Sequence, residues 1–205
     1  MSKVTGLLSF QNGVFWGLEK RPGESVPVVP PRLPLSFREL PPEQAGLLAR
    51  AAGLSSPGPL QERFRTGGRA FAGFSGEDLA CYGWVSQGRE WIGEMQAHFL
   101  MLPGEGYIWD CVTLPQFRRQ GLYTALINHM LRALFAEGLH RVWIGSNIEN
   151  QPSIRGFQRA GFRALVQVRL FRLLSRRFYG YRPCPGAPQG FVSATRRAFS
   201  PADRT

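Results

Sequence analysis

Residues 113–126 read TLPQFRRQGLYTAL, in which a strand end, a basic turn and a helix start follow one another. Pro115 closes the strand, and Gly121 opens the most regular helix in the sequence, predicted over about 121–137. One apolar stripe along this helix contains Leu122, Leu126, Met130 and Leu134. The first turn of a helix has N–H groups without intrahelical partners, and the helix dipole favours an anion there. The segment therefore predicts a binding site for a phosphate group.

The residues of this loop exclude two common classes of phosphate-binding site. The loop lacks the Gly-Lys-Ser/Thr ending of a Walker loop, and it also lacks the three-glycine fingerprint of dinucleotide-binding folds. Gly121 has no side chain, so a diphosphate could approach the backbone closely, and Arg118 and Arg119 add positive charge. The alternative is a glycine that serves only tight packing, with both arginines in solvent.

A second segment, residues 147–162, reads NIENQPSIRGFQRAGF. Asn150 is placed to cap a helix over about 151–159, with Pro152 at an early helical position and Gly161 at the end. Capping by itself would account for Asn150.

Together the two segments resemble the GCN5-related N-acetyltransferase (GNAT) family. The family's acetyl-CoA loop follows a strand that ends Val-x-Pro, and its second element is Asn-x-x-Ala/Ser followed by a Tyr and then Gly-Phe. The matching residues are Pro115, Arg118, Gly121, Asn150, Ser153, Gly161 and Phe162. The chain departs at Thr113 (usually Val), at Tyr123 (usually a small residue) and at Phe157 (usually Tyr). The resemblance is clear over about 107–163 and weaker over 35–106.

The resemblance implies an α/β (α+β) fold, with a GNAT-like mixed central β-sheet flanked by helices in a single domain. Local patterns predict strands over 35–40, 141–146 and 162–174, and short helices over 41–52 and 59–66. They also predict two hairpins, 70–74 with 79–85 and 92–102 with 107–114. Residues 1–34 are expected to be an N-terminal extension or an edge hairpin, 35–180 the acyltransferase domain, and 181–205 a basic, mobile C-terminal tail.

The resemblance also implies where the donor acetyl-CoA binds. The strand 107–114 would splay from 141–146, and the pantetheine arm would lie in the notch between them. Backbone groups of 111–113 would bond that arm, N–H groups of 119–124 would take the pyrophosphate, and an amine would attack the thioester directly. The implied cofactor-binding residues are Cys111, Val112, Thr113, Arg118, Arg119, Gln120, Gly121, Leu122, Tyr123, Thr124, Asn150, Ser153 and Phe157.

The sequence offers several candidates for the acid and the base of the reaction. The family's acid is a tyrosine hydroxyl where this chain has Phe157. Three interpretations stay open: the thiolate leaves unaided, Tyr123 or Tyr107 supplies the hydroxyl, or the protein binds acyl-CoA without catalysis. The usual position of the base is Gly145, which has no side chain. Candidate bases on neighbouring segments are Asp110, Glu149, Glu94 and His98. Asp110 and Tyr123 are predicted to be catalytic. Because side chains alternate along a strand, Asp110 is expected on the face opposite to Tyr107, Trp109 and Cys111.

The composition and charge of the chain indicate which kinds of partner it can have. The chain has 205 residues with 25 Lys+Arg and 14 Asp+Glu, and residues 150–202 contain ten arginines and no acidic residue. This local excess favours an anionic partner such as an acidic protein, and it favours a neutral or anionic acceptor over a polyamine. A homodimer is left open.

The three cysteines have no metal-ligand spacing, so no metal and a reducing cytoplasm are expected. No apolar run reaches the roughly 18 residues of a transmembrane helix, and Gln11, Asn12 and Gly13 interrupt any signal-peptide core.

The function predicted from the sequence is an acetyl-CoA-dependent N-acetyltransferase, in which an amine attacks acetyl-CoA directly within a ternary complex. Two alternatives stand beside it. One is an N-acyltransferase that takes a longer acyl chain from an acyl carrier protein and resembles N-acyl amino acid synthases. The other is a non-catalytic protein that binds acyl-CoA or nucleic acid.

Overall fold

The computed structural model describes residues 8–19, 25–173, 176–187, 195–196 and 199–201. The helices are α1 (Ala45–Ala51), α2 (Gly58–Arg65), α3 (Leu122–Ala136) and α4 (Gln151–Arg159). The strands are β1 (Leu8–Glu19), β2 (Ser36–Leu40), β3 (Arg69–Ser75), β4 (Asp78–Ser86), β5 (Arg89–Ile92), β6 (Ala97–Leu100), β7 (Glu105–Thr113), β8 (Arg141–Asn147), β9 (Arg163–Leu173), β10 (Arg176–Pro183) and β11 (Phe199–Pro201).

Eight strands form one mixed sheet in the order β10-β9-β1-β8-β7-β4-β3-β2. Every neighbouring pair is antiparallel except β7 and β8, which run parallel. The predicted class, a mixed central sheet flanked by helices, is confirmed. Within the described ranges, no helix combines the length and the apolar character needed to cross a membrane.

Helix α3 forms where the apolar stripe predicts it. Leu126, Met130 and Leu134 are completely buried in the larger core, where they pack among side chains of the central strands. Gly121 precedes the helix in the left-handed conformation, with φ of +79°, and Gly138 follows it with φ of +96°. Glycine adopts both conformations without the steric cost that other residues meet, so these two positions delimit the helix.

Strand β1 lies in the interior of the sheet, so the edge position expected for residues 1–34 is wrong. It pairs with β8 over Gly13–Glu19 and with β9 over Leu8–Gly17. Phe15 and Trp16 are buried on opposite faces of the sheet, one in each of two separate core clusters. Strand β1 therefore joins β8 to β9 in the sheet, because the edges of these two strands that pair with it would otherwise be unpaired.

The second predicted hairpin, 92–102 with 107–114, is also wrong. Strands β5 and β6 pair with each other and, through β6, with β11 in a separate sheet of three strands. Strand β7 instead pairs with β4 and β8. Its Tyr107 and Ile108 are buried, which requires neighbours on both sides.

Parts of the expected C-terminal tail belong to the fold. Residues 181–183 complete β10, and Phe199 is 4% exposed at the start of β11. The Phe199 ring packs edge-on against Phe15 and Phe99, at 4.8 and 5.3 Å between centroids. Residues 188–194, 197–198 and 202–205 of that tail lie outside the described residues.

One buried ion pair joins β7 to β8. Glu105 is 4% exposed, and its carboxylate accepts from Arg141 Nη1 at 2.5 Å and from Trp143 Nε1 at 3.0 Å. Arg141→Met would leave this carboxylate buried without its cation. We expect the free energy of unfolding to fall by about 3 kcal/mol, as for other broken buried pairs. Urea denaturation measures this, with the exposed Arg155→Met as the matched control, expected to change stability by less than about 0.5 kcal/mol. Equal stability of both variants would contradict a structural role for the pair.

Candidate active site

A cleft opens where β7 and β8 separate. Their parallel pairing runs from Glu105 with Arg141 to Ile108 with Ile144 and stops there, while β8 continues to pair with β1 as far as Asn147. The predicted splay of these two strands is thus confirmed. The cleft has a volume of about 810 Å³ and reaches the first turn of α3 and the start of α4. Its position leaves one edge of β7 beyond Ile108 facing open space.

A β-bulge directs the side chains of β7 into this cleft. Asp110 has a left-handed backbone with φ of +46°, and the register between β4 and β7 shifts at this point. Because the bulge interrupts the alternation of the strand, Trp109, Asp110 and Cys111 all line the cleft. The expectation that Asp110 faces away from Trp109 is wrong, because Arg63 of α2 contacts both side chains. Cys111 does lie on the other face, where it packs against the core beneath α3.

Asp110 is held by an arginine from α2. Arg63 Nη1 donates to Asp110 Oδ2 at 2.5 Å, and the Arg63 guanidinium carbon lies 4.6 Å from the centre of the Trp109 ring. The indole Nε1 of Trp109 donates to Ser86 Oγ at 2.9 Å, which fixes the ring. A carboxylate and an aromatic face thus hold a cation at one wall of the cleft.

Tyr123 stands beside the residue that replaces the family's tyrosine. The Tyr123 and Phe157 rings are 6.2 Å apart, and both line the cleft. Burial, reinforced by Cys111, raises the pKa of the Tyr123 phenol well above its usual value, and a hydrogen bond with Ser153 opposes this in part. The phenol therefore keeps its proton at neutral pH.

Tyr107 and Cys111 are buried at the same cleft. Burial raises the pKa of the Tyr107 phenol, and nearby Glu94 and Glu90 raise it further. Its hydroxyl lies 2.9 Å from where a Cβ at Gly145 would stand, so the glycine at the usual base position leaves room for this phenol. Burial also raises the pKa of the Cys111 thiol, which stays protonated and is a poor nucleophile.

The loop before α3 has the geometry of an anion-binding site. Arg119 and Gly121 both have left-handed backbones, with φ of +64° and +79°. Left-handed residues occur in the turns that present backbone N–H groups to an anion, which makes this loop a candidate anion site. The proline-rich segment, residues 25–34, supports the loop from outside, because Arg32 N–H donates to Gln120 O at 2.9 Å. The Arg118 and Arg119 side chains are exposed beside it.

The structure brings together only part of the residues selected from the sequence. Those whose side chains line the cleft are Asp110, Cys111, Tyr123, Asn150, Ser153 and Phe157, with Glu94 at the β5–β6 turn. Leu122 and Thr124 are buried beneath the loop, so only their backbone could contact a ligand. Val112 and Thr113 lie half-buried at the end of β7. Glu149 and His98 are not among the residues that line the cleft.

Asn150 caps α4 as predicted. Its Oδ1 accepts from Ser153 N–H at 3.3 Å, so the carbonyl end of the side chain is engaged in the helix cap. Within the described residues, the Asn150 Nδ2 group has no protein acceptor and borders the cleft.

Several lining residues carry no local signal in the sequence. Glu90, Trp91 and Met95 come from the small sheet and its turn, Arg63 from α2, and Phe15 from β1. They reach the cleft only through the long-range pairing of these elements, and the sequence patterns around them are ordinary.

The comparison with family models agrees with this geometry. The model of the Acetyltransferase (GNAT) family matches residues 51–162, which is more than half of the chain and runs from the end of α1 to the turn after α4. The chain belongs to the GNAT acetyltransferase family. The GNAT match contains the loop before α3, the splayed strands and the capped helix. A search of curated proteins finds no match to this sequence.

Solved structures share the GNAT fold at low sequence identity. A GCN5-related N-acetyltransferase from Kribbella flavida is 17% identical, with a TM-score of 0.55 over 82% of this chain and 61% of that one. One from Sphaerobacter thermophilus is 12% identical, with a TM-score of 0.56 over 90% of this chain and 56% of that one. The ribosomal-protein-S18-alanine N-acetyltransferase of Escherichia coli is 14% identical, with a TM-score of 0.51 over 70% and 96%. The chain thus spans less than two thirds of the first two.

Proposed function

We propose that this GNAT protein transfers the acetyl group of acetyl-CoA to an amine, by direct attack within a ternary complex. The observation that carries the proposal is the cleft between β7 and β8, which opens directly beside the anion-binding loop of α3. The cleft would hold the thioester and the adjacent loop would hold the diphosphate, and acetyl-CoA contains both groups.

The donor would be held mainly by backbone groups. The unpaired edge of β7 at Cys111, Val112 and Thr113 can bond the pantetheine arm in the manner of an added strand. The N–H groups of residues 119–124 would take the pyrophosphate, with Arg118 and Arg119 beside it. The Asn150 Nδ2 group would donate to the arm.

The chemistry needs one proton acceptor and one donor. The amine nitrogen attacks the thioester carbon, the C–S bond breaks, and coenzyme A leaves as the thiol. Asp110 would accept the proton of the attacking amine through the oxygen that Arg63 does not engage. Tyr123, which keeps its proton, would donate to the sulfur as negative charge builds on it.

Tyr123→Phe tests the proposed acid. With hexylamine as the acceptor, we expect kcat to fall by about 100-fold, the lower end of the range for a lost general acid or base, while the Kd of acetyl-CoA is unchanged. The measurement is amide formation by mass spectrometry together with release of free thiol. Unchanged kcat would show that the thiolate leaves unaided or that Tyr107 serves.

A second variant uses the neighbouring ring. The Phe157 ring lies beside Tyr123 in the cleft lining, so Phe157→Tyr in the Tyr123→Phe background should restore part of the lost rate. Absence of any acetylated amine with the unmodified protein, despite binding of acetyl-CoA, would contradict the proposed function as a whole.

Three further expectations stay predictions. A cytoplasmic location rests on cysteine usage, and the three cysteines are free. An acidic partner protein rests on the arginine-rich strands β9 and β10, and a homodimer rests on no observation of the described residues.

A further inference from the structure

We propose that the acceptor is a cationic amine, namely a primary amine that carries a second positive charge on a short apolar chain. The inference rests on the proposed function, because it assigns the part of the cleft not needed by the donor. It concerns the walls formed by α2, by the β5–β6 hairpin and by the bulge of β7, which we term the acceptor chamber.

The charge of the acceptor chamber is opposite to that of the protein. Among the described residues, the cleft is lined by the three carboxylates of Glu90, Glu94 and Asp110 and by the one guanidinium of Arg63, a formal charge of −2. The whole chain carries +11. A negative cleft in a basic protein concentrates cations from solution and repels anionic acceptors.

The chamber already binds one cation, which shows the geometry it offers. Arg63 is held there between the Asp110 carboxylate, at 2.5 Å, and the face of the Trp109 indole, at 4.6 Å. Carboxylate and indole together are the two groups that bind ammonium and guanidinium ions in proteins.

The same pair of groups recurs on the β5–β6 hairpin without a protein cation. Trp91 is 43% exposed, and Glu94 is exposed three residues further along. Both line the cleft, and within the described residues neither contacts a basic side chain, apart from the edge-on contact of Trp91 with His98. A second positive charge on the acceptor would occupy this position.

Glu90 is oriented by a chain of hydrogen bonds. Trp109 Nε1 donates to Ser86 Oγ, Ser86 Oγ donates to Glu90 Oε2, and Trp91 N–H donates to Glu90 Oε1 at 3.0 Å. The carboxylate is thereby fixed before any ligand arrives. Because it is preorganised, it can attract a cation without first losing side-chain freedom.

The arrangement suits an extended organic cation. The carboxylates are spread along the cleft, and no three metal-ligating side chains of the described residues are close enough to hold a metal ion. The largely buried apolar residues Phe15, Ile92 and Met95 line the same cleft. The neutral or anionic acceptor expected from the sequence was inferred from the charge of residues 150–202. The acceptor chamber is instead formed mostly by residues 63–111.

The test compares three acceptors that differ only at the far end of a six-carbon chain. They are 1,6-diaminohexane, hexylamine and 6-aminohexanoate, which place a positive charge, no charge and a negative charge opposite the reacting amine. We expect kcat/KM to fall by about tenfold from the first to the second and by more to the third, as expected for a partly desolvated charge pair. Added salt should reduce the first difference.

Glu94→Gln identifies the residue responsible. We expect kcat/KM for 1,6-diaminohexane to fall by about fivefold through KM, and the value for hexylamine to stay within about twofold. The matched control is Glu77→Gln, which removes the same charge from the exposed β3–β4 turn outside the cleft. Equal effects of the two variants would overturn the assignment of Glu94.

A binding measurement separates this inference from the proposed function. Calorimetry with the protein saturated by coenzyme A compares 1,6-diaminohexane with 6-aminohexanoate, and tighter binding of the diamine is expected. Equal or weaker binding of the diamine overturns the inference, even when hexylamine is acetylated and the proposed function holds. If no amine is acetylated, the proposed function fails, and this comparison still decides whether the chamber prefers cations.

Discussion

Gly121→Glu is expected to lower the affinity for acetyl-CoA by about a hundredfold, because it places a carboxylate where the pyrophosphate should bind, and such like-charge contacts cost several kcal/mol. Gly121 is exposed, and a Cβ at this position would meet nothing closer than Pro30 and Pro31, both at 3.8 Å. The fold should therefore tolerate the side chain. Isothermal titration with acetyl-CoA measures the effect.

Two variants separate charge from backbone strain. Gly121→Ala imposes the same left-handed strain, about 1 kcal/mol, without the charge, and should retain most of the affinity. Gly138→Glu adds the same charge and strain at the other end of α3, where φ is +96° and no atom lies within 4 Å of the new Cβ. It should bind acetyl-CoA like the unmodified protein. Normal affinity in Gly121→Glu would show that the donor does not use this loop.

Deletion of residues 1–19 is expected to abolish folding. Without β1, the edges of β8 and β9 that it joins have no partner, and both core clusters lose an aromatic side chain, Trp16 from one and Phe15 from the other. Replacing one such buried aromatic residue by Ala costs about 3–5 kcal/mol, which is close to half of the stability of a typical domain. Circular dichroism and thermal unfolding should show no cooperative transition.

The reference for this truncation is the unmodified protein, which should show one cooperative transition under the same conditions. Adding a synthetic peptide of residues 8–19 to the truncated chain should restore structure in part, because the missing strand pairs through its backbone. A cooperative transition in the chain that lacks 1–19 would mean that residues 1–34 are the extension predicted from the sequence.

The donor half of the site was predictable because its signals are local. Gly121 begins α3, Asn150 caps α4, and Pro115 ends β7, each within a few residues of the structure that it determines. Such positions act through backbone conformation and through hydrogen bonds to near neighbours in the chain. Their spacing therefore indicates the GNAT family without any tertiary contact.

The acceptor half was not predictable in this way. The expected alternation along β7 failed at Asp110, because a bulge depends on the register with β4. The partner of Asp110 is Arg63, 47 positions earlier in the chain. No pattern near either residue indicates the other.

By itself, then, the sequence determined the helices, most strands, the loop that begins α3 and the family, since each is encoded by the chemistry of short segments. Only the tertiary structure decided that β1 enters the sheet between β8 and β9, that β5 and β6 form a sheet of their own, and that acidic side chains line the acceptor chamber. The physical reason is that strand partners are selected by burial of whole faces and by pairing of distant edges. A period-two pattern shows which face of a strand is apolar, but not which strand will lie beside it.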